Sequence, residues 1–268
     1  SYRRYSWDLA FIIDFTMTGI VLLPQVAAWV YRRPRGSRMR ALAMWALFTL
    51  LALGVQWLAR ANRLEFSSSV LILVSALLAA LFFLPGVALR RADAPAAQAW
   101  GFRLSRAAWC RAGVVLLALY LGCCELAHRA ALRQVREFAA RENLRVEALG
   151  ALPMPPWLGH WSGLIRAHDG VYFAPLRLFS SGPPRFEFFP DSPSNAILER
   201  VRARPEARLY FHFARFPRVV YEARGGLHFV HLEDFRFFGR RSDRPAPFTF
   251  RFVVDDEGRV LSQNWLDD

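Results

Sequence analysis

WDLAFIIDFTMTGIVLLPQVAAWVY, residues 7–31, decides the fold class. A helix rises 1.5 Å per residue, so about 20 apolar residues cross a bilayer core, and this stretch exceeds that. Trp7 at one end and Trp29 and Tyr31 at the other suit the two membrane–water interfaces. Asp14 lies inside the apolar run. An acid at mid-membrane costs about 2.5–3.5 kcal/mol on insertion scales, which marks Asp14 as a candidate functional residue. Asp8 precedes it by six residues, roughly 240° round a helix, so the two carboxylates do not share a face. Asp8 fits the interface at a helix start, where an acid is favoured.

Working outward, three further apolar stretches follow at residues 41–59, 70–89 and 107–126, predicting a bundle of four transmembrane helices over residues 1–127. The connecting segment 32–40, RRPRGSRMR, holds five arginines and no acid, and segment 90–106 holds four arginines against Asp93. Segment 60–69 is less basic. The positive-inside rule puts the two basic segments in the cytoplasm, and everything after residue 127 then falls outside it.

The chain has 268 residues, 54% hydrophobic, with a formal charge of +13 and every basic residue an arginine. The arginine clusters flank the apolar stretches, which suits anionic lipid better than nucleic acid, so no nucleic-acid partner is expected. Cys110, Cys123 and Cys124 lie in or beside the fourth stretch with no zinc-type spacing and read as packing residues.

Beyond the bundle, Ala131, Leu132, Val135, Phe138 and Ala139 recur at helical spacing, predicting that the fourth span runs on as a surface helix through 128–143, ended by Asn143. Residues 144–268 read as an α+β domain with a mainly antiparallel sheet and two short helices on one side. Asp169-Gly170 and Gly225-Gly226 signal hairpins. SGPPRFEFFPDSP reads as a loop, and Ser192-Pro193 as a helix cap and first turn. Pro205 opens a second helix with Leu209, Tyr210 and Phe213 as its apolar positions. Phe248, Phe250, Phe252 and Val254 alternate as a half-buried strand, and a last strand follows at 259–265.

Few residues carry a chemical signature. Asp14, Thr18, Val21 and Gln25 share one helix face, and Trp45, Thr49, Ala52 and Gln56 another; antiparallel packing would join the two polar stripes. That arrangement serves either as interhelical hydrogen-bond glue or as the wall of a polar active-site cavity. The six histidines are scattered, with His228 and His231 on opposite faces of a strand, and no HExxH, P-loop or GxSxG occurs. Asp191, Asp255 and Asp256 read as local caps of a helix start and a turn. The phenylalanines between 179 and 238 read as sheet-face packing, with a lipid groove around Phe186, Phe188 and Phe189 as the alternative.

RRYSWDLAFIIDF (3–15) followed by LLPQ resembles the bacterial YdjM-like membrane-bound metal-dependent hydrolases, in the part that follows their metal motifs. FRLSRAAWCRAG, ALGALPMPPWLGHWSGLIRAHDGVY, FFPDSP, YFHFARFP and LEDFRFFG extend the resemblance to the long-tailed members, over essentially the whole chain. The resemblance implies a multi-pass protein of the bacterial inner membrane with its C-terminal domain outside the cytoplasm. It implies ester or phosphoester hydrolysis of a lipid-like or envelope substrate by water on a divalent metal, zinc being expected. In that family the His- and Asp-bearing motifs precede the WDLAFIID segment, so this chain is expected to be a C-terminal part that neither binds the metal nor acts alone. Asp8 and Asp14 are the positions that match near the site, expected to orient ligands or water from behind rather than to bind metal. The residues alone leave open a different class, a non-enzymatic membrane-anchored binding or scaffolding module for lipid or an envelope partner.

Overall fold

The computed structural model describes residues 15–33, 35–61, 68–87, 100–154, 159–180, 182–238 and 247–266. The chain divides into two compact units, one over Phe15–Tyr120 and one from Leu121 onward.

The first unit is helical: α1 (Phe15–Val30), α2 (Ser37–Ala61), α3 (Ser68–Val87), the single turn α4 (Trp100–Arg103) and the start of α5 (Arg106–Arg141). Among the described residues two helices, rather than the four expected, are long and apolar enough to cross a membrane, Ser37–Trp57 within α2 and Arg106–Arg141, while Thr16–Val30 and Leu71–Gly86 are shorter apolar helices. A small core joins Ala27, Val30, Ala41, Leu78, Phe82 and Trp109 around Tyr31, whose hydroxyl donates to the Phe82 carbonyl at 2.6 Å. Outside that core the apolar side chains turn outward: Leu50, Trp57, Ile72, Leu77, Val114 and Leu119 are exposed. Such a surface is unfavourable in water and suits an apolar solvent.

The second unit is α+β. It contains two four-stranded antiparallel meanders where a single sheet was expected. The first is β1 (Val146–Pro153), β2 (His160–Ala167), β3 (Gly170–Arg177) and β4 (Glu187–Pro190), in that order; the second is β5 (Pro217–Arg224), β6 (Leu227–Asp234), β7 (Thr249–Asp255) and β8 (Val260–Leu266). Strand alternation gives the first sheet two buried faces. One face, with Ala151, Trp161, Ile165, Ala174 and Leu176, packs on Ala131, Val135 and Ala139 of α5. The 128–141 stretch is therefore a core helix rather than a surface one, continuous with the apolar stretch before it and ended by Asn143 at φ 51°. The other face, with Leu164, Val171 and Phe173, meets Phe216 and Phe235. The second sheet packs Val219, Val230, Leu232, Phe252 and Val254 against α6 (Ala196–Ala203) and α7 (Pro205–Phe213).

Several local expectations change. The first hairpin turns on His168 and Asp169; Gly170 begins β3, opposite Ala167. Its φ is not positive, and a glycine is needed there because a Cβ would overlap the Phe189 carbonyl of β4. Gly225 and Gly226 do turn the second hairpin at φ 60° and 74°. The Pro-flanked segment read as a loop contains β4, which pairs Pro190 with Gly170 at the sheet edge, where a residue without an N–H is tolerated. The cap of α6 is Asn195, not Ser192: its Oδ1 accepts from the backbone of Ile197 and Leu198 at 3.0 and 2.9 Å. In α7 the inward residues are Ala207 and Tyr210, and Leu209 and Phe213 are exposed.

Candidate functional site

Asp8 and Asp14 lie outside the described residues. The rest of the polar stripes can be placed. Thr49 faces α3 rather than α1, its hydroxyl 3.4 Å from that of Ser75, and Trp45 Nε1 donates to the Ser75 carbonyl at 3.2 Å. Gln25 is exposed and turns its amide back to the Val21 carbonyl of its own helix at 3.2 Å. The expected meeting of the two stripes is thus not made at Thr49 or Gln25. The stripe on α2 is used to join α2 to α3, as interhelical hydrogen bonds commonly do. Gln56 is 8% exposed, and among the described residues its Nε2 has no hydrogen-bond acceptor.

In the second unit three polar arrangements stand out. Asp191 is a cross-link between sheets rather than a local cap. Its Oδ2 accepts from Arg166 Nη2 of β2 at 2.6 Å, and its Oδ1 accepts from the Val219 N–H of β5 at 3.0 Å. Asp234 is fully buried and accepts from Arg236 Nε at 2.7 Å and from the backbone of Arg215, Phe216 and Arg236. It pins the end of β6 to the turn before β5.

The third arrangement is a hydrogen-bonded chain. Tyr221 Oη lies 2.7 Å from His228 Nδ1, and His228 Nε2 lies 3.0 Å from Asp256 Oδ1. It runs from a half-buried phenol through an imidazole to a carboxylate that is 69% exposed. Asp256 therefore does more than close its turn, while Asp255 stays local, binding the backbone and guanidinium of Arg259 at 2.7 Å. A chain of this kind holds an imidazole in one tautomer. The signal for it is an ordinary DEG turn, which says nothing about a histidine 28 residues earlier.

His231, on the opposite face of β6 as expected from its spacing, is half-buried, and its Nε2 has no partner among the described residues. Burial pushes its pKa below the ordinary value, opposed by Glu222 and reinforced by Arg251. Burial likewise raises Glu233 above the usual carboxylate range, although Arg218 at 3.3 Å pulls it back. The Tyr210 phenol is pushed up by burial and donates to the Phe248 carbonyl at 3.2 Å. Among the described residues no group of three or more His, Cys, Asp or Glu side chains stands close enough to hold a metal ion. The described residues therefore do not themselves fit the divalent metal that the family resemblance implies.

The aromatic crowd is largely packed on itself. Phe186 stacks on Phe138 of α5 at 4.1 Å, Phe188 lies 4.6 Å from Tyr172, and Phe189 lies 5.0 Å from Phe235. The three rings proposed to line a lipid groove each have an aromatic neighbour instead. Phe179 is the outlier, 90% exposed after β3 and lying over Gly159.

Comparison with protein-family models, with curated proteins and with solved structures finds no match.

Proposed function

We propose that this chain is the membrane-embedded C-terminal part of a membrane-bound metal-dependent hydrolase acting on ester or phosphoester bonds. One observation supports the membrane part above the others. Helix α5 is a single 36-residue helix whose first part exposes Val114 and Leu119 and whose last part is the packing face of a folded sheet. A helix apolar at one end and built into a water-soluble core at the other suits a chain that leaves a bilayer and enters a soluble domain. The exposed apolar residues of α2 and α3 fit the same reading, with the shorter helices α1 and α3 completing four spans. The arginine-rich connections then face the cytoplasm of a bacterial inner membrane, and the α+β domain lies outside.

The hydrolase part rests on the resemblance carried by WDLAFIID and the segments after it. In this reading the metal belongs to the family segment that precedes Trp7, where it would activate water for attack. The described residues take no catalytic step; Asp14 and Asp8 orient a ligand or water. The test is hydrolysis of ester and phosphoester substrates by the protein bearing that preceding segment, purified with zinc. Asp14→Asn is expected to lower kcat at least tenfold while leaving assembly intact. Unchanged activity and assembly would remove Asp14 from the mechanism.

A second reading, a membrane-anchored module that binds lipid or an envelope partner without catalysis, draws on Phe179. A fully presented aromatic ring suits the boundary between water and an apolar phase. Activity that survives removal of all divalent metal would favour neither reading, whereas a metal-free, inactive protein that still retains an envelope partner would favour this one.

A further inference from the structure

Helix α5 fixes which end of the first sheet lies nearest its own apolar stretch. The His128 ring stacks on Trp161, at the start of β2, with 5.4 Å between centroids. Further along α5, the Phe138 ring lies 5.9 Å from Tyr172, the residue that pairs with Ile165 of β2. Ten helical residues and four strand residues each advance roughly 13–15 Å, so α5 and β2 run in the same direction. The Trp161 end of the sheet is therefore the end beside the apolar stretch of α5, and the turn at His168 and Asp169 is the far end, exposed and polar.

Three exposed apolar side chains from separate segments lie at the near end: Leu126 of α5, Met154 just after β1 and Phe179 just after β3. Backbone bonds place the last two. The Met154 N–H donates to the His160 carbonyl and the Leu178 N–H to the Gly159 carbonyl, both at 2.9 Å. Ser180 N–H donates to the Arg177 carbonyl at 3.2 Å, closing a turn with Phe179 at its third position. Turns of this kind favour small or polar residues there, so turn chemistry gives no reason for a phenylalanine. Its ring is nonetheless seated, so close over Gly159 that a Cβ on that glycine would lie 2.6 Å from it. Arg177 beside it is exposed, and among the described residues no carboxylate pairs with it.

We propose that this end of the first sheet is a lipid-contacting surface that seats the α+β unit on the bilayer its own helix leaves. Phe179 and Met154 enter the boundary between headgroups and acyl chains, and Arg177 pairs with the phosphate of an anionic lipid. Continuity selects this occupant. Leu126, two residues before His128, carries the apolar surface of α5 up to the sheet end, and the cation sits where headgroup phosphates lie. The proposal rests on the membrane part of the proposed function and needs neither metal nor hydrolysis.

The test uses the full chain in vesicles of phosphatidylethanolamine and phosphatidylglycerol, with a photoreactive benzophenone amino acid in place of Phe179, His168 or Leu119 in turn. All three positions are exposed, so none of the replacements burdens folding. Lipid adducts after irradiation, read by mass spectrometry, are expected from positions 179 and 119 and absent from position 168. Phosphatidylglycerol is expected to be over-represented among the position-179 adducts, and Arg177→Gln to abolish that excess. Adducts at 119 without adducts at 179, equal yields at 179 and 168, or cross-linking of 179 to a second copy of the chain instead of lipid would each overturn the proposal and leave the span standing. Adducts at 179 with none at 119 would keep the lipid surface and overturn the membrane-spanning reading. An excess of phosphatidylglycerol that persists in Arg177→Gln would overturn the role given to Arg177.

Discussion

His231 is half-buried on β6 with its Nε2 unpaired among the described residues, and burial lowers its pKa. The unfolded chain, where the imidazole titrates near its ordinary 6.5, then binds a proton more readily than the folded one as pH falls below that value. Folded stability is accordingly full above about pH 6.5 and declines as pH falls from there toward the depressed folded value. Thermal unfolding between pH 7.5 and 5 should show this decline, and His231→Gln, which cannot ionise, should flatten it. An unchanged slope in the variant would assign the pH dependence elsewhere. Asp191 shows why such roles escape a sequence. Its partners Arg166 and Val219 are 25 and 28 residues away, so an acid before a Ser-Pro pair reads as a cap. Arg166 did leave a signal, a charged residue on a strand that puts apolar residues on both faces, Trp161 and Ile165 on one and Leu164 on the other. Lone arginines on strands usually reach water, so alternation alone does not separate this one.

At the scale of elements, periodicity was a good guide where one face is buried and neighbours are local. The α5 face, the second hairpin across Gly225-Gly226 and the opening of α7 at Pro205 all follow from it. It failed where an element is short and its stability comes from a partner. Four-residue β4 exists because β3 offers it an edge, and its flanking prolines hide it. The inward face of α7 is set by the second sheet beneath it, which selects Ala207 and Tyr210 over the larger Leu209. The most exacting contact is α5 on the first sheet. Val135 is fully buried, and its methyl group sits so close to Gly163 that a Cβ there would lie 3.1 Å away. Val135→Ala should destabilise the second unit by about 2 kcal/mol, measured by chemical denaturation. Arg133→Ala, on the exposed side of the same helix, should change it by less than about 0.5 kcal/mol. Equal effects would mean that the helix does not pack as described.

For the whole molecule, the division into a helical unit and an α+β unit was legible because composition changes along the chain: apolar runs give way to alternating and turn-rich sequence. That the α+β part holds two sheets was not legible. Hairpin turns specify which strands are neighbours, but nothing in them says that β4 ends one meander and β5 begins another. The helix that Thr49 would meet was not legible for a related reason, because any of several helices can satisfy a threonine, and α3 does so through Ser75. The proposed topology has the chain cross the bacterial inner membrane and deliver its α+β unit to the outer side. Reporter fusions after Asp268 test it most directly. An alkaline phosphatase fusion, active only outside the cytoplasm, should be active, and a fluorescent-protein fusion exported in unfolded form should be dark. A bright fluorescent fusion together with an inactive phosphatase fusion would contradict it.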